Sequence, residues 1–215
     1  DSSLKSVLKN NFFTMTSTKE ADVETDTILE LLEIFIHSIL FARELYPAAI
    51  FRPRRAYNIP VQVSIFKPLN DYLEKTLRAA RELKRQRKLH KVELLVYKEE
   101  SAGHLESYVL ELEDREFRLE SDEHMIQLEE QIRRSLLNLD RQLKALRKLP
   151  SAATFKILLH TTEAAFVRLG NDPRLQGAPF VQEAGQDAGH RTNTQLLPVS
   201  HTATVGVQLY VEEYL

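Results

Sequence analysis

The chain ends on a strand that has no neighbour close by to pair with. In VGVQLYV, Val205, Val207, Leu209 and Val211 alternate with Gly206, Gln208 and Tyr210, the two-residue period of a strand with one buried face. The stretch before it, NDPRLQGAPFVQEAGQDAGHRTNTQ, is rich in glycine, proline and polar residues and carries no sustained period. A weakly helical EAAFVRLG opens this tail at Glu163. A last strand of this kind must add to a sheet built earlier, because its backbone groups otherwise stay unpaired. The tail from Glu163 to Leu215 is therefore expected to wrap back over the molecule. Irregular connections as long as its middle are uncommon in compact domains, and are either disordered or functional.

The residues before the tail supply the sheet. Residues 1–24 carry no period and read as a flexible N-terminal extension, of which 1–14 precede Met15 and are taken to lie upstream of a native start. A first helix is expected from about Thr25 to Leu45. Ile28, Leu31, Leu32, Phe35, Ile39 and Leu40 step at helical spacing there, Leu29, Ile36 and Phe41 widen the stripe, and Tyr46-Pro47 is the stop. FRPRRAYN reads as a basic turn, and IPVQVSI as a strand that Pro60 confines to an edge. A second amphipathic helix starts near Pro68, carries Leu69, Leu73, Leu77, Ala80 and Leu83, and ends in KRQRKLHK.

VELLVYK, apolar on both faces, reads as a central strand, with SYVLELE its antiparallel partner across EESAGH and EFRLE (Phe117, Leu119) a short third strand. A third helix capped by Ser121 presents Met125, Leu128, Ile132, Leu136, Leu139, Leu143 and Leu146 as one seam before Pro150. TFKILLHT then places Phe155, Ile157 and Leu159 inward. This order predicts one α+β domain over 25–215, with three main helices on one face of a mostly antiparallel sheet and 163–215 laid across it.

Composition narrows the chemistry. With 215 residues, 43 % hydrophobic, the chain builds one good-sized core. A net charge of −2 makes neither a polyanion nor a membrane surface the expected partner of the whole molecule. ILELLEIFIHSILF is broken by Glu30, Glu33 and His37, so it reads as a buried helix and not a membrane span. The absence of cysteine removes disulfides, thiolate metal sites and a thiol nucleophile, and suits a reducing compartment. No glycine motif for phosphate or for a nucleophile elbow is present, and the seven histidines show no metal-ligand spacing. His160, ending an apolar strand, is the histidine to inspect, with a hydrogen bond to backbone as its ordinary role. The chain reads as a non-enzyme without cofactor or metal. Two basic runs, Arg52–Arg55 and Lys84–Lys91, are read as solvated faces, with nucleic-acid contact or nuclear import as the alternatives; neither is interleaved with aromatic residues.

FARELYPAAIFRPRRAYNIPVQVS, LNDYL, TFKILLHTTEAA and the terminal QLYVEE together resemble the HORMA-domain accessory subunits of DNA polymerase zeta, the mitotic-arrest-deficient-like proteins of translesion synthesis. The resemblance runs from about Asp26 to Glu213. It implies a nuclear, and also cytoplasmic, non-catalytic adaptor whose C-terminal segment is a safety belt. The belt closes over a proline-containing peptide of the polymerase's catalytic subunit, and a strand contributed by that peptide lies against TFKILLHT.

By the same resemblance Tyr72 and Phe180 line the peptide pocket, with Phe155 and Ile157 on the adjoining strand; the family commonly carries a tryptophan where this chain has Phe180. Leu196, Pro198, Gln208 and Tyr210 match the surface that docks the C-terminal domain of the scaffold deoxycytidyl transferase polymerase. Arg133 and Glu44 match positions used when two HORMA domains pair, which makes another HORMA protein or a second copy a partner. An AAA+ remodelling ATPase is a further implied partner. The ordinary reading of Tyr72 and Phe180 is core, and that of Gln208 and Tyr210 the outer face of a strand. A checkpoint- or meiosis-type HORMA regulator is the alternative within the fold, and a direct nucleic-acid-binding module the alternative outside it.

Overall fold

The structure is a computed structural model, and it describes residues 2–99, 103–113, 122–162, 164–165, 167, 171, 194–202 and 206–214. Helix α1 spans Ser2–Ala42, followed by a short 3-10 turn at Ala48–Ile50 and the strands β1 (Phe51–Ala56) and β2 (Ile59–Ser64). Helix α2 (Lys67–Arg85), strands β3 (Lys91–Lys98) and β4 (His104–Leu112), helix α3 (Asp122–Ala145) and strand β5 (Ala153–His160) come next. The chain closes with β6 (Thr194–Thr202) and β7 (Val207–Tyr214).

β1 and β2 form a separate hairpin, and the other five strands form one sheet in the order β5-β3-β4-β7-β6, every pair antiparallel. The expected return of the tail is observed. The chain leaves the sheet at β5 and re-enters at the opposite edge, four inter-strand spacings away, or about 19 Å at ~4.8 Å per strand. β7 docks on β4 with Val207, Leu209 and Val211 buried and Gln208, Tyr210 and Glu212 partly exposed, the alternation read from VGVQLYV. Gly206, buried just before it, sits at φ 58°, where a side chain would strain the backbone.

All three helices cover one face. Ile28, Leu31, Leu32, Phe35, Ile36, Ile39 and Leu40 of α1 share a core with Leu69, Leu73 and Leu83 of α2 and Leu128, Ile132, Leu139 and Leu143 of α3. Val92, Leu94, Val96, Tyr108 and Leu110 line the sheet side of that core. α1 is rich in β-branched residues, each costing a few tenths of a kcal/mol in a helix. Burying each large side chain returns about 1.5–3 kcal/mol, so packing decides the conformation.

Four expectations change. α1 begins at Ser2 and not at Thr25, reaching back through the segment read as an extension; no glycine or proline precedes Pro47, so nothing in the sequence stops the helix. The basic turn FRPRRAYN is a strand and a two-residue turn. Tyr57 and Asn58 adopt φ of 48° and 61°, the left-handed pair that a twisted hairpin needs, and β1 pairs with β2 over its whole length. Met125 is 48 % exposed, so the buried seam of α3 begins at Leu128. Phe155, Ile157 and Leu159 are only partly buried, because β5 is an edge strand. The Ser121 cap, the Phe117/Leu119 strand, Val205 and Phe180 lie outside the described residues.

Candidate functional site

β5 has β3 on one side and no strand on the other among the described residues. The Ile157 N–H donates to the Tyr72 hydroxyl at 3.1 Å, which shows that this amide points away from β3. The backbone groups of Phe155 and Leu159 share that orientation through the alternation of an antiparallel ladder. Tyr72 stands on α2, in the turn after Pro68, and its ring meets the Phe155 ring edge-on at 6.0 Å. Tyr46 also meets the Phe155 ring edge-on at 6.1 Å and lies 6.3 Å from Phe66. Ile65, Phe66 and Tyr72 remain 57 %, 41 % and 37 % exposed, so an aromatic wall borders the open edge.

The chemistry of this edge suits an extended backbone. Tyr72 satisfies one outward amide and so blunts an edge that otherwise invites pairing. Burial pushes its phenol up from the usual value, so the hydroxyl stays protonated and keeps its own hydrogen for an incoming carbonyl. Tyr72 and Phe155 are thus brought into contact, and Tyr72 and Ile157 into a hydrogen bond.

A second surface forms at the far edge. The β6–β7 register sets Pro198 opposite Tyr210, Leu196 opposite Glu212 and His201 opposite Gln208, which gathers the four residues expected to act together onto one hairpin. The Tyr210 hydroxyl donates to Glu111 Oε1 at 3.0 Å, and burial with that carboxylate pushes its pKa up. Arg133 and Glu44, by contrast, are not in contact. Arg133 Nε donates to the Tyr57 carbonyl at 3.2 Å and its NH2 pairs with Glu129, while Glu44, at φ 54°, faces Lys148 at 3.7 Å. Beside Glu44, α1, β2 and α3 border an open pocket of about 920 Å³ lined by Phe41, Leu45, Pro60, Leu137 and Lys144.

Two polar centres escaped the sequence, and a third, at His160, has a different partner from the one expected. Arg43, at the end of α1, donates to both Glu106 oxygens at 3.0 and 2.6 Å, to the Leu143 carbonyl at 3.2 Å and to the Arg147 carbonyl. Tyr108 donates to the same carboxylate at 2.6 Å, and all three residues are buried. This clamp joins α1, β4 and the end of α3 at one point. His37 accepts the Ser64 N–H on Nδ1 at 3.0 Å, and burial lowers its pKa to about 4. His160 was expected to bond backbone; its Nε2 meets Glu93 Oε2 at 2.8 Å, and Ser107 donates to Glu93 Oε1 at 2.6 Å. Burial acts to raise the Glu93 carboxyl, but those two hydrogen bonds together with the charges of His160 and Lys91 outweigh it and leave the pKa below the usual value. Serine and histidine sit on opposite oxygens of the carboxylate, so the histidine has no serine proton to remove. Among the described residues no group of three or more His, Asp or Glu is placed to hold a metal ion.

Residues 25–167 match the family model described as the HORMA domain. DNA polymerase zeta subunit 2 of Drosophila melanogaster is 36 % identical over 194 residues, covering 89 % of this chain and 98 % of the relative. The human mitotic spindle assembly checkpoint protein MAD2B is 31 % identical over 194 residues, covering 89 % and 91 %. Among solved structures, a chain of the mitotic checkpoint complex superposes with a TM-score of 0.70 at 18 % identity, over 89 % of this chain and 98 % of that one. HTP-2 of C. elegans, solved bound to the HIM-3 closure motif, does so with 0.66 at 14 %, over 90 % and 91 %.

Proposed function

The chain belongs to the HORMA-domain family, and from that premise we propose that it is a nuclear, non-catalytic adaptor subunit of DNA polymerase zeta in translesion DNA synthesis. It captures a proline-containing peptide of the catalytic subunit along β5. Tyr72, Phe155, Ile157 and Phe180 contact the peptide, and the tail from Glu163 closes over it. The observation that carries this reading is the open β5 edge, whose outward Ile157 amide is capped by a tyrosine on a neighbouring helix. An arriving strand exchanges that cap for a ladder of backbone hydrogen bonds, with the aromatic wall receiving its side chains. A tail that follows β5 and rejoins the sheet at the opposite edge supports enclosure of such a strand. Release then waits on local opening of the tail, and affinity appears as a slow off-rate.

The β6–β7 hairpin, through Leu196, Pro198, Gln208 and Tyr210, docks the C-terminal domain of the scaffold polymerase. Arg133 and Glu44 flank the surface on which another HORMA domain, or a second copy, seats, and an AAA+ ATPase reopens the tail. Similarity to a spindle-checkpoint-named relative favours one second reading, a checkpoint-type regulator with the same edge and a different peptide. The test is surface-immobilised binding of a catalytic-subunit peptide to the whole chain and to a Tyr72→Ala/Phe180→Ala variant. Slow release by the whole chain and weakened capture by the variant support the adaptor. Undiminished capture by a folded variant removes the pocket assignment, and no binding by the whole chain moves the function to another peptide.

A further inference from the structure

Many of the described cations pair with carboxylates and others, Lys75, Arg87, Lys88 and Arg141 among them, do not; Arg52, Arg54 and Arg55 are three such arginines gathered on one short strand. Arg81, Lys84 and Arg85 of α2 pair with Asp26, Glu24 and Asp22 of α1, which neutralises the start of the second basic run. Lys67, Arg78, Arg133, Arg134 and Lys144 are each paired within their own helix. Arg52, Arg54 and Arg55 of β1 are exposed and have no carboxylate partner among the described residues; Arg52 bonds only the Ala49 and Phe51 carbonyls. Strand alternation puts Arg52 and Arg54 on one face and Arg55 on the other, so the charges bracket the free edge of the hairpin.

The edge itself selects among anionic partners. Ser64 turns its N–H to His37 and its carbonyl to Asn70, so its pair partner Phe51 faces outward, and so do Pro53 and Arg55 by alternation. Pro53 has no N–H, which interrupts the ladder an acidic peptide needs to add as a strand. What remains is guanidinium contact with an anionic backbone. No aromatic ring stands among the three arginines, and Tyr57 at the tip is engaged by Glu30, so single-strand stacking is not offered. Glu30 and Glu129, held by Tyr57 and Asn58, make the tip acidic and leave the flank of β1 as the approach.

We infer that the β1 flank, through Arg52, Arg54 and Arg55, is a contact for the phosphate backbone of double-stranded DNA, weak and independent of sequence. This goes beyond the adaptor reading and does not require it. Three phosphate contacts give a salt slope of about −2.7 in log K against log salt, or about a 40-fold loss of affinity between about 50 and 200 mM. A contact of that strength matters when a subunit is tethered beside DNA by another protein, because tethering raises the effective concentration to about the millimolar range.

The test is fluorescence anisotropy of a short labelled DNA duplex across a salt series, using the whole chain. Arg54→Ala/Arg55→Ala is expected to reduce the slope to about −0.9 and to weaken low-salt binding. Arg54→Lys/Arg55→Lys keeps the slope, and Arg81→Ala/Arg85→Ala, which removes cations already paired with α1 carboxylates, leaves both quantities unchanged. Thermal unfolding of each variant confirms the fold. Binding unaltered by the double alanine variant, or absent at low salt, overturns the inference. So does a polyglutamate probe that binds the same arginines while the duplex does not, which assigns the patch to an acidic protein instead.

Discussion

At one edge of the sheet, β5 has no strand beside its outward amides among the described residues and buries Phe155, Ile157 and Leu159 only in part; at the other, the terminal hairpin drives Val207, Leu209 and Val211 fully into the core. β5 is therefore the edge to which the proposed peptide would add. β7 was made interior by recruiting β6 as the new edge. Under the proposed function one sheet carries two surfaces: the first offers backbone, the second the partly exposed Gln208 and Tyr210 of a finished hairpin. Both depend on the same helical layer, so variants sort by whether they reach both edges or one.

The largest effect is expected at the clamp. Arg43→Ala leaves the Glu106 carboxylate buried without its guanidinium and two carbonyls near the end of α3 without their donor, and should destabilise by about 3–5 kcal/mol in urea unfolding. Both edges then lose function together; a loss below about 1 kcal/mol breaks the idea of a shared framework. Next comes pH. The folded His37 pKa is about 4 against 6.5 unfolded, so the unfolded chain binds more protons between those values. Its contribution, present above pH 6.5, is lost as pH falls towards 4, by about 3 kcal/mol at most. His37→Gln should flatten that part of the stability profile.

Single-edge variants sharpen the contrast. Tyr72→Phe keeps the ring against Phe155 and removes the hydroxyl hydrogen offered to an incoming carbonyl, so peptide release should quicken only a few-fold, in line with about 0.5–1.5 kcal/mol for one hydrogen bond. Scaffold-polymerase docking should not change. Leu196→Ala with Tyr210→Ala is expected to do the reverse, abolishing docking while shifting peptide affinity less than about twofold, or about 0.4 kcal/mol. Loss of both activities in that variant erases the distinction between the edges, unless unfolding measurements trace it to the core.

Much of this fold was legible because periodicity reports burial. Leu128 to Leu143 on α3 and Val207 to Val211 on β7 repeat at the spacing their elements require. β1 was missed because its arginines carry no alternation: the strand is exposed at Arg52, Pro53, Arg54 and Arg55 and is defined by its pairing with β2. The Tyr-Asn pair before IPVQVS, followed by an alternating strand, was the available hairpin signal. The Arg43–Glu106 clamp joins residues 63 positions apart, and no local pattern marks such a pair. Tyr72 could be named by resemblance, but its bond to the Ile157 amide depends on how α2 crosses the sheet edge. Tyr46 and Phe66 went unnoticed for the same reason.

The central claim is that the tail encloses a peptide held along β5. Removing everything after Glu163 is a poor test, since it also deletes the core residues Val207, Leu209 and Val211. A protease site placed between Gln186 and Asp187 cuts the tail and leaves both of its ends in the molecule. The measurement is the release rate of a pre-bound, labelled catalytic-subunit peptide before and after cleavage. At least tenfold faster release after the cut, about 1.4 kcal/mol, is the predicted result, with thermal stability maintained. Release at an unchanged rate from a fully cleaved, folded chain would contradict enclosure and leave β5 as an ordinary docking edge.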